Sequence, residues 1–471
     1  MRLSTKVAYN TIIQIISKVI ATALGLITLS IMTRYLGKSG FGEYTTIITF
    51  LSFFGIIADL GLTLVTVQMI SKPNIDQDKI IGNLFGLRLI SAIIFLGLAP
   101  LVVIFFPYSP LVKMGVAITS LSFFFISLNQ ILVGVFQKNL RMDKVSIAEV
   151  VGRVILLSGV LIVYYLNYGL VGIMVATVIS SAINFLFHYN FSKKFARIKL
   201  QFDLNTWKEI IKNSWPLALT IIFNLIYLKT DTLILSLIKT QGEVGIYGAA
   251  YRVIDVLITV PFMFAGIILP ILTACWAKNN PEDFKRVLQK SFDAMVIMAI
   301  PMMVGAQFIS KKVMVIVAGK EFESSGVALQ ILIIAAGIIF LGCMFSHAVI
   351  AIEKQKKIIG AYIFTAITAV VGYLIFIPKF SYIGAAWVTI YSESIIALAS
   401  FALVWKYAKF FPNLKIFIKA LFASGIMAIV IYYSGFINIF LIIILAIAVY
   451  FVALYLFKGI TKKDIIELLN R

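Results

Sequence analysis
The sequence predicts an all-α polytopic membrane protein of about 14 transmembrane helices: two six-helix lobes plus a C-terminal helix pair. Three observations carry this. Of 471 residues, 61% are hydrophobic and 13% charged, which would leave a soluble domain with far too much apolar surface. Apolar residues come in runs of about 20 or more, the length that spans roughly 30 Å of hydrocarbon. The runs are continuous rather than alternating, as in membrane helices and unlike a membrane β-barrel.

In chain order the spans are 7–33, 41–69, 81–106, 112–136, 145–165, 168–190, 214–238, 246–275, 289–309, 327–350, 358–377, 381–407, 415–434 and 437–457. The first follows Arg2 and Lys6 and contains Gln14 and Lys18. It is too long and too polar for a signal-peptide core and reads as a retained helix. With the N-terminus in the cytosol, and Lys290, Lys406, Lys415 and Lys419 at inner span ends counted with the inner segments, 28 of the 41 Lys and Arg fall in inner segments, 8 in outer segments and 5 deeper inside spans. That asymmetry follows the positive-inside rule and puts both termini in the cytosol. It accounts for the formal charge of +21 without nucleic acid.

Short loops leave no room for a soluble catalytic domain, so no catalytic residues are expected. Cys275 and Cys343 lie in apolar spans and read as small core residues. His188 and His347 lie near inner span ends, where snorkelled tips are expected rather than metal ligands. Asp76-Gln77-Asp78 reads as a solvated loop face rather than a nucleotide-sugar motif. In the inner connection 191–213, DLNTWKEIIK reads as an interfacial helix capped by Asp203, with Trp207, Ile210 and Ile211 on one face. Asn280 caps a second helix that starts at Pro281 and carries Glu282 and Asp283 in its first turn.

The chain also repeats. KVAYNTIIQIISK near the start is echoed by KEIIKNSWPLALT, Gly42-Glu43-Tyr44 by Gly245-Ile246-Tyr247, and GLVGIMVATVIS by SYIGAAWVTIYS, with Gly172 matching Gly384 and Thr177 matching Thr389. Spans 1–6 thus echo spans 7–12, giving an N-lobe 1–200, a C-lobe 201–412, and an added helix pair with a cytosolic tail, 413–471. An even number of spans per copy keeps both copies in one orientation.

Charges inside spans cost roughly 2.5–3.5 kcal/mol each at mid-helix and need a partner or water. The cations are Lys18, Arg88, Arg153, Lys229 and Arg252; the anions are Asp59, Glu149, Asp231, Asp255, Asp293 and Glu393. Lys18, Arg88 and Asp59 sit at similar depth and are expected to meet. That cationic surplus suits a pyrophosphate, or forms a structural ion-pair cluster. Lys229 and Asp231, two apart, point to opposite sides of one helix. With Arg252 and Asp255 on the next span they form either a neutral structural group or a gate. Glu149 and Arg153 are spaced for an intrahelical pair. Glu393, central in span 12, is a candidate to carry a coupling proton or sodium, or to form a salt bridge. Pro216, Pro261, Pro270 and Pro301 kink the second lobe, against Pro100 in the first, which makes the C-lobe the candidate for bending.

RYLGKSGFGEY (34–44), ADLGL (58–62) and DTLILSLIKTQGEVGIYGAAYRV (231–253) resemble the polysaccharide-transporter family. Its members are oligosaccharide flippases of the multidrug/oligosaccharidyl-lipid/polysaccharide exporter superfamily. The resemblance implies two helical lobes around a cavity and alternating access. It implies a flippase, not an enzyme, moving a polyprenyl-pyrophosphate oligosaccharide from the inner to the outer leaflet of a prokaryotic plasma membrane for cell-surface polysaccharide biosynthesis. Lys18, Arg88 and Arg252 would then contact the anionic head group, with Asp59, Lys229, Asp231, Asp255 and Glu393 in coupling or gating. No cofactor or metal is expected; a proton or sodium gradient is the candidate driving force. The partners would be membrane lipid, the polyprenyl-linked oligosaccharide and other polysaccharide-assembly proteins. The alternatives are a multidrug or cation antiporter exposing Asp59 and Glu393, and an integral polymerase or glycosyltransferase. The last wants a large outer loop, and the longest outer connection is 310–326.

Overall fold
The computed structural model describes residues 3–70, 76–196, 198–434 and 437–459. The C-terminal tail from 460 onward and part of the 70–80 loop lie outside the described residues, as do the side chains of Lys6, Tyr9, Asn10 and Pro216.

Among the described residues the regular structure is helical throughout. The helices are α1 (Leu3–Asp59), α2 (Leu62–Ile70), α3 (Gln77–Val102), α4 (Pro110–Lys138), α5 (Met142–Leu166), α6 (Gly169–Ser192), α7 (Leu204–Ile238), α8 (Gln241–Ala277), α9 (Pro281–Ala318), α10 (Ser325–Ala351), α11 (Ile359–Ala408), α12 (Lys415–Tyr433) and α13 (Ile439–Leu456). Twelve helical stretches are long and apolar enough to cross a membrane. Two of these contain a sharp bend, α1 at Gly37 (φ 63°) and α11 at Ser381 (φ 53°). Each of the two supplies a pair of spans, which gives the expected fourteen.

Helix starts follow local chemistry. Ser109 accepts from the Val112 N–H at 3.3 Å, with Pro110 at the first helical position. Asp203 accepts from the Asn205 N–H at 3.0 Å, and Asn280 from the Asp283 N–H at 3.1 Å, so both caps read from the sequence are present. The repeat reappears in the backbone: the alignment that matches Gly172 to Gly384 sets Gly169 (φ 63°) against Ser381 (φ 53°), both left-handed.

The chain divides into two compact units, Met1–Gly245 and Ile246–Arg471. The sequence repeat breaks near residue 200. The contacts place α7 with the first unit instead, because it packs on α1, α2 and α3. The first unit's core includes Leu84, Leu132, Phe136 and Ile210, and, farther along α1, Ile47 and Leu51 with Val112 and Met174. The second unit's core joins Phe284, Phe292, Met344, Ala423 and Tyr450. Its added pair, α12 and α13, packs on α9, where the Tyr450 hydroxyl donates to the Ile297 carbonyl at 2.9 Å.

The entry to α7 differs from the expected separate interfacial helix. The segment runs unbroken into the membrane-crossing part, and Ile210 is buried with Trp207 packed against the same core, while Ile211 is exposed. The preceding strand of chain is strapped along α3. Gln201 N–H donates to the Gly82 carbonyl at 3.3 Å. Asn83 Nδ2 donates to Gln201 Oε1 at 3.1 Å, and Asn83 Oδ1 accepts from the Asp203 N–H at 2.9 Å. Lys79 Nζ lies 3.2 Å from the Asp203 carboxylate. Gly82 and Gly86 make room: a Cβ on either would run into the carbonyl oxygen of Lys199 or Gln201. The sequence signal for this close approach is the Gly-x-x-x-Gly spacing around Asn83.

Two expectations follow. Gly86→Val forces the strap off α3 and lowers stability by about 1–3 kcal/mol, read as a lower thermal midpoint of the detergent-solubilised chain; an unchanged midpoint would show that the strap carries no load. Hydrogen bonds from the Thr206 hydroxyl and the Asn205 N–H, then Lys79, hold Asp203 down at about 2, against an ordinary 3.8. Because this folded value is depressed, its contribution is full above the ordinary value and is lost as pH falls through about 2. Amide exchange at Asn205 and Thr206 should therefore accelerate across that window in wild type, beyond the intrinsic trend, and already be fast above it in Asp203→Ala, which removes the acceptor.

Candidate functional site: the charges inside the first and second units
The sharpest feature of the first unit is a broken helix. α1 stops at Asp59, Leu60 (φ 50°) and Gly61 (φ 73°) turn left-handed, and α2 starts at Leu62. Such a break frees backbone carbonyls and N–H groups that hydrocarbon cannot solvate. Neighbouring side chains satisfy them. Asp59 Oδ1 accepts from the Thr63 N–H at 3.4 Å and the Thr63 hydroxyl at 2.5 Å, acting as a cap for α2. Ser91 on α3 donates to the Ala58 carbonyl at 2.8 Å, and Arg88 Nη1 reaches the same oxygen at 3.5 Å.

Arg88 is 2% exposed. It ion-pairs with Asp59, donates from Nη2 to Thr63 Oγ1 at 3.1 Å, and donates from Nε to the Ser127 carbonyl of α4 at 2.9 Å. Its fork thereby ties α3, the α1–α2 break and α4 together. Gly61 completes the joint, because a Cβ there would stand 2.7 Å from the Ser214 carbonyl oxygen on α7.

The expected meeting of Arg88 and Asp59 is present. Lys18, expected with them, pairs elsewhere: its Nζ lies 3.5 Å from Glu149 on α5, with side chains 41% and 37% exposed. This corrects the intrahelical Glu149–Arg153 pair read from spacing. α1 packs along α5, so the cross-helix partner is the nearer one, and the Arg153 guanidinium instead lies beside Gly25. The result is two neutral pairs in place of one cationic cluster.

His188 is also corrected. It is buried, 3% exposed, rather than snorkelled, because Nδ1 bonds the Asn184 carbonyl at 2.9 Å. It ends a polar seam: Asn184 donates to the Ala148 carbonyl at 2.7 Å and accepts from Asn129 at 2.6 Å, and Ser122 meets Ser181 at 2.6 Å.

Lys229 and Asp231 lie on α7, and Arg252 and Asp255 on α8. Asp231 is fully buried and accepts from the Thr232 N–H at 2.5 Å. All four charges have interaction partners. Glu393, on the second half of α11, is 7% exposed, and its Oε1 has no hydrogen-bond partner. Among the described residues it makes no ion pair. The second unit also holds a cavity of about 520 Å³ whose lining, including Met298, Pro301, Met302, Met427 and Tyr450, is almost entirely carbon.

The family described as polysaccharide biosynthesis protein matches residues 7–276, more than half of the chain. The chain belongs to this family. A second family, MatE, matches residues 216–375 of the chain. Its relatives include the probable flippase AglR of Haloferax volcanii, 22% identical over 205 residues, 43% of each chain. Another is the lipopolysaccharide biosynthesis protein WzxC of Escherichia coli, 24% identical over 326 residues, 67% of this chain and 64% of that one. The chain thus covers less than two thirds of either relative's length. Among solved structures, the lipid II flippase MurJ in an inward closed conformation superposes with a TM-score of 0.79 at 20% identity, covering 97% of this chain and all of that one. An inward-facing multidrug resistance MATE family transporter of the MOP superfamily follows at 0.68 and 16% identity, covering 85% and 98%. These likenesses establish the fold.

Removing one member of the Arg88–Asp59 pair leaves the other charge stranded, a loss of about 3–5 kcal/mol. Arg88→Ala and Asp59→Ala should each strongly reduce thermal stability and membrane yield, and the double variant should cost far less than the sum. Additive losses would show that the two side chains do not act together.

Proposed function
We propose that this polysaccharide biosynthesis protein is a flippase that carries a polyprenyl-pyrophosphate oligosaccharide across the plasma membrane of a prokaryote, from the cytosolic to the outer leaflet. The observation that carries the reading is family membership over residues 7–276, together with one relative named a probable flippase and another named for lipopolysaccharide biosynthesis. The basic inner loops support a cytosolic placement of both termini. The carbon-lined cavity of the second unit has the chemistry for a prenyl chain, and cooperation with other polysaccharide-assembly proteins belongs to the same reading.

Within the site, Lys18 is the stronger candidate for the anionic head group. Its ammonium is half-exposed and held by one exposed partner at 3.5 Å, a contact of the weak surface kind. Arg88 spends its donors on the helix break. Arg252 remains a head-group candidate, and Lys229, Asp231 and Asp255 remain gating candidates. Glu393, buried with a free oxygen, is the candidate to carry a coupling proton or sodium.

A multidrug or cation antiporter is the second reading, favoured by the MatE match to residues 216–375. Against it, Asp59 already has a cation, Arg88, and is not presented to a cationic substrate.

The test is flipping of a fluorescent prenyl-pyrophosphate sugar by the full chain in proteoliposomes. Wild type should flip it, and Lys18→Ala should slow flipping about tenfold, the effect of losing one charge-assisted contact, while remaining monodisperse. Undiminished flipping in Lys18→Ala removes the head-group role. Absence of flipping by wild type, with organic-cation export instead, replaces the flippase by the antiporter.

A further inference from the structure
At one end of the second unit, where α10 gives way to α11 and α11 itself ends, three ammonium groups crowd one tyrosine. Lys354, Lys357 and Lys406 place Nζ at 5.2, 4.7 and 5.8 Å from the Tyr407 ring centroid, and Lys357 also donates to the Tyr407 hydroxyl at 2.5 Å. Like charges brought together repel unless an anion joins them. Among the described residues, none of the three has a carboxylate within ion-pair distance. Glu353 sits in the same turn, exposed and without an ion pair. The carbonyl ends of α10 and α11 offset part of the charge, but they offer only partial charges to three full ones.

The corresponding turn of the first unit shows what neutralisation looks like. There Arg141 lies 5.5 Å over Phe195 and Lys144 lies 5.3 Å over Phe191. Asp143 receives two 2.9 Å hydrogen bonds from Arg141 and stands 3.5 Å from Lys144. The repeat thus builds a basic–aromatic turn twice and supplies the internal anion once.

We propose that the Lys354–Lys357–Lys406 cluster binds the phosphodiester of an anionic phospholipid, with the Tyr407 ring as its floor. The aromatic setting favours a lipid over free phosphate. Trp405 and Phe411, 56% and 65% exposed, neighbour the cluster along the chain and form an aromatic patch with Phe401 at the same helix end, and exposed aromatics of this kind sit at head-group depth with acyl chains against their faces. Lysine suits the role, because its long stem lets three point charges converge on one phosphate.

The purified full chain in detergent is titrated with phosphatidylglycerol, phosphatidylcholine and inorganic phosphate, and bound molecules are counted by native mass spectrometry. Wild type should retain phosphatidylglycerol at least about tenfold more tightly than phosphatidylcholine, and the K354Q/K357Q/K406Q variant should lose that preference. Lys406→Gln alone, at an exposed helix end, guards against misfolding of the triple variant and should weaken retention about fivefold. The K144Q variant of the first unit should match wild type. A triple variant that folds and keeps the preference overturns the proposal, as does full retention by Lys406→Gln. Displacement of phosphatidylglycerol by equimolar inorganic phosphate also overturns it, because the cluster would then read a bare phosphate.

Discussion
A helix can break inside hydrocarbon only if every backbone group it frees finds another partner, and the first unit is organised around one such break. Leu60 and Gly61 leave the helical conformation, and the Arg88–Asp59 pair stands where water would otherwise be needed. Asp59 caps the helix that begins, while Arg88 and Ser91 cover the carbonyl of the helix that ends. A neutral residue in place of Arg88 could meet one of these needs but not the ion pair, the threonine and the carbonyl of α4 together. The guanidinium is suited to this because its five donors lie in a fixed plane.

That joint separates charges committed to the scaffold from charges held more loosely. A buried cation that points four of its five N–H groups at protein atoms has little to offer a phosphate without unmaking its own scaffold, and Arg88 is of that kind. Lys18 is of the other kind, since both it and Glu149 are partly exposed and share one contact. Exchange of Glu149 for a substrate anion would cost little there, because solvent already screens the pair. Glu393 is a third case: a buried carboxylate with an oxygen left unbonded gains from any proton or cation that reaches it.

Much of this was legible in the residues. The spans, the caps at Asp203 and Asn280, and the meeting of Arg88 with Asp59 follow from hydropathy, spacing and depth. The break itself was not legible: 41–69 reads as one span, and the structure interrupts it at Leu60 and Gly61, of which only Gly61, two residues after the capping acid, is a residue that tolerates left-handed backbone freely. What else escaped is set by contacts between distant helices. Spacing favoured Arg153 as the partner of Glu149, but the neighbour in space is Lys18 on α1. His188 looked interfacial by position, yet the seam through Asn184 draws it inside. The strap on Gly82 and Gly86 joins α3 to a segment more than a hundred residues later, and local pattern could suggest only that something comes close.

The two units echo one another in sequence and yet treat the same basic–aromatic turn differently. In the first, Asn129, Asn184 and the Ser122–Ser181 contact thread polar groups between α4, α5 and α6, and Asp143 neutralises the basic turn. In the second, the basic turn is left cationic, and the added pair α12 and α13 helps line a carbon-walled cavity with three methionines. Thioether side chains adapt to irregular apolar ligands at little cost, whereas amides and hydroxyls hold fixed geometries. Both units hold a cavity walled mainly by carbon, about 610 Å³ between α5 and α6 in the first and about 520 Å³ in the second, so what separates them is where fixed polar contacts and uncancelled charge lie, not which of them offers an apolar pocket.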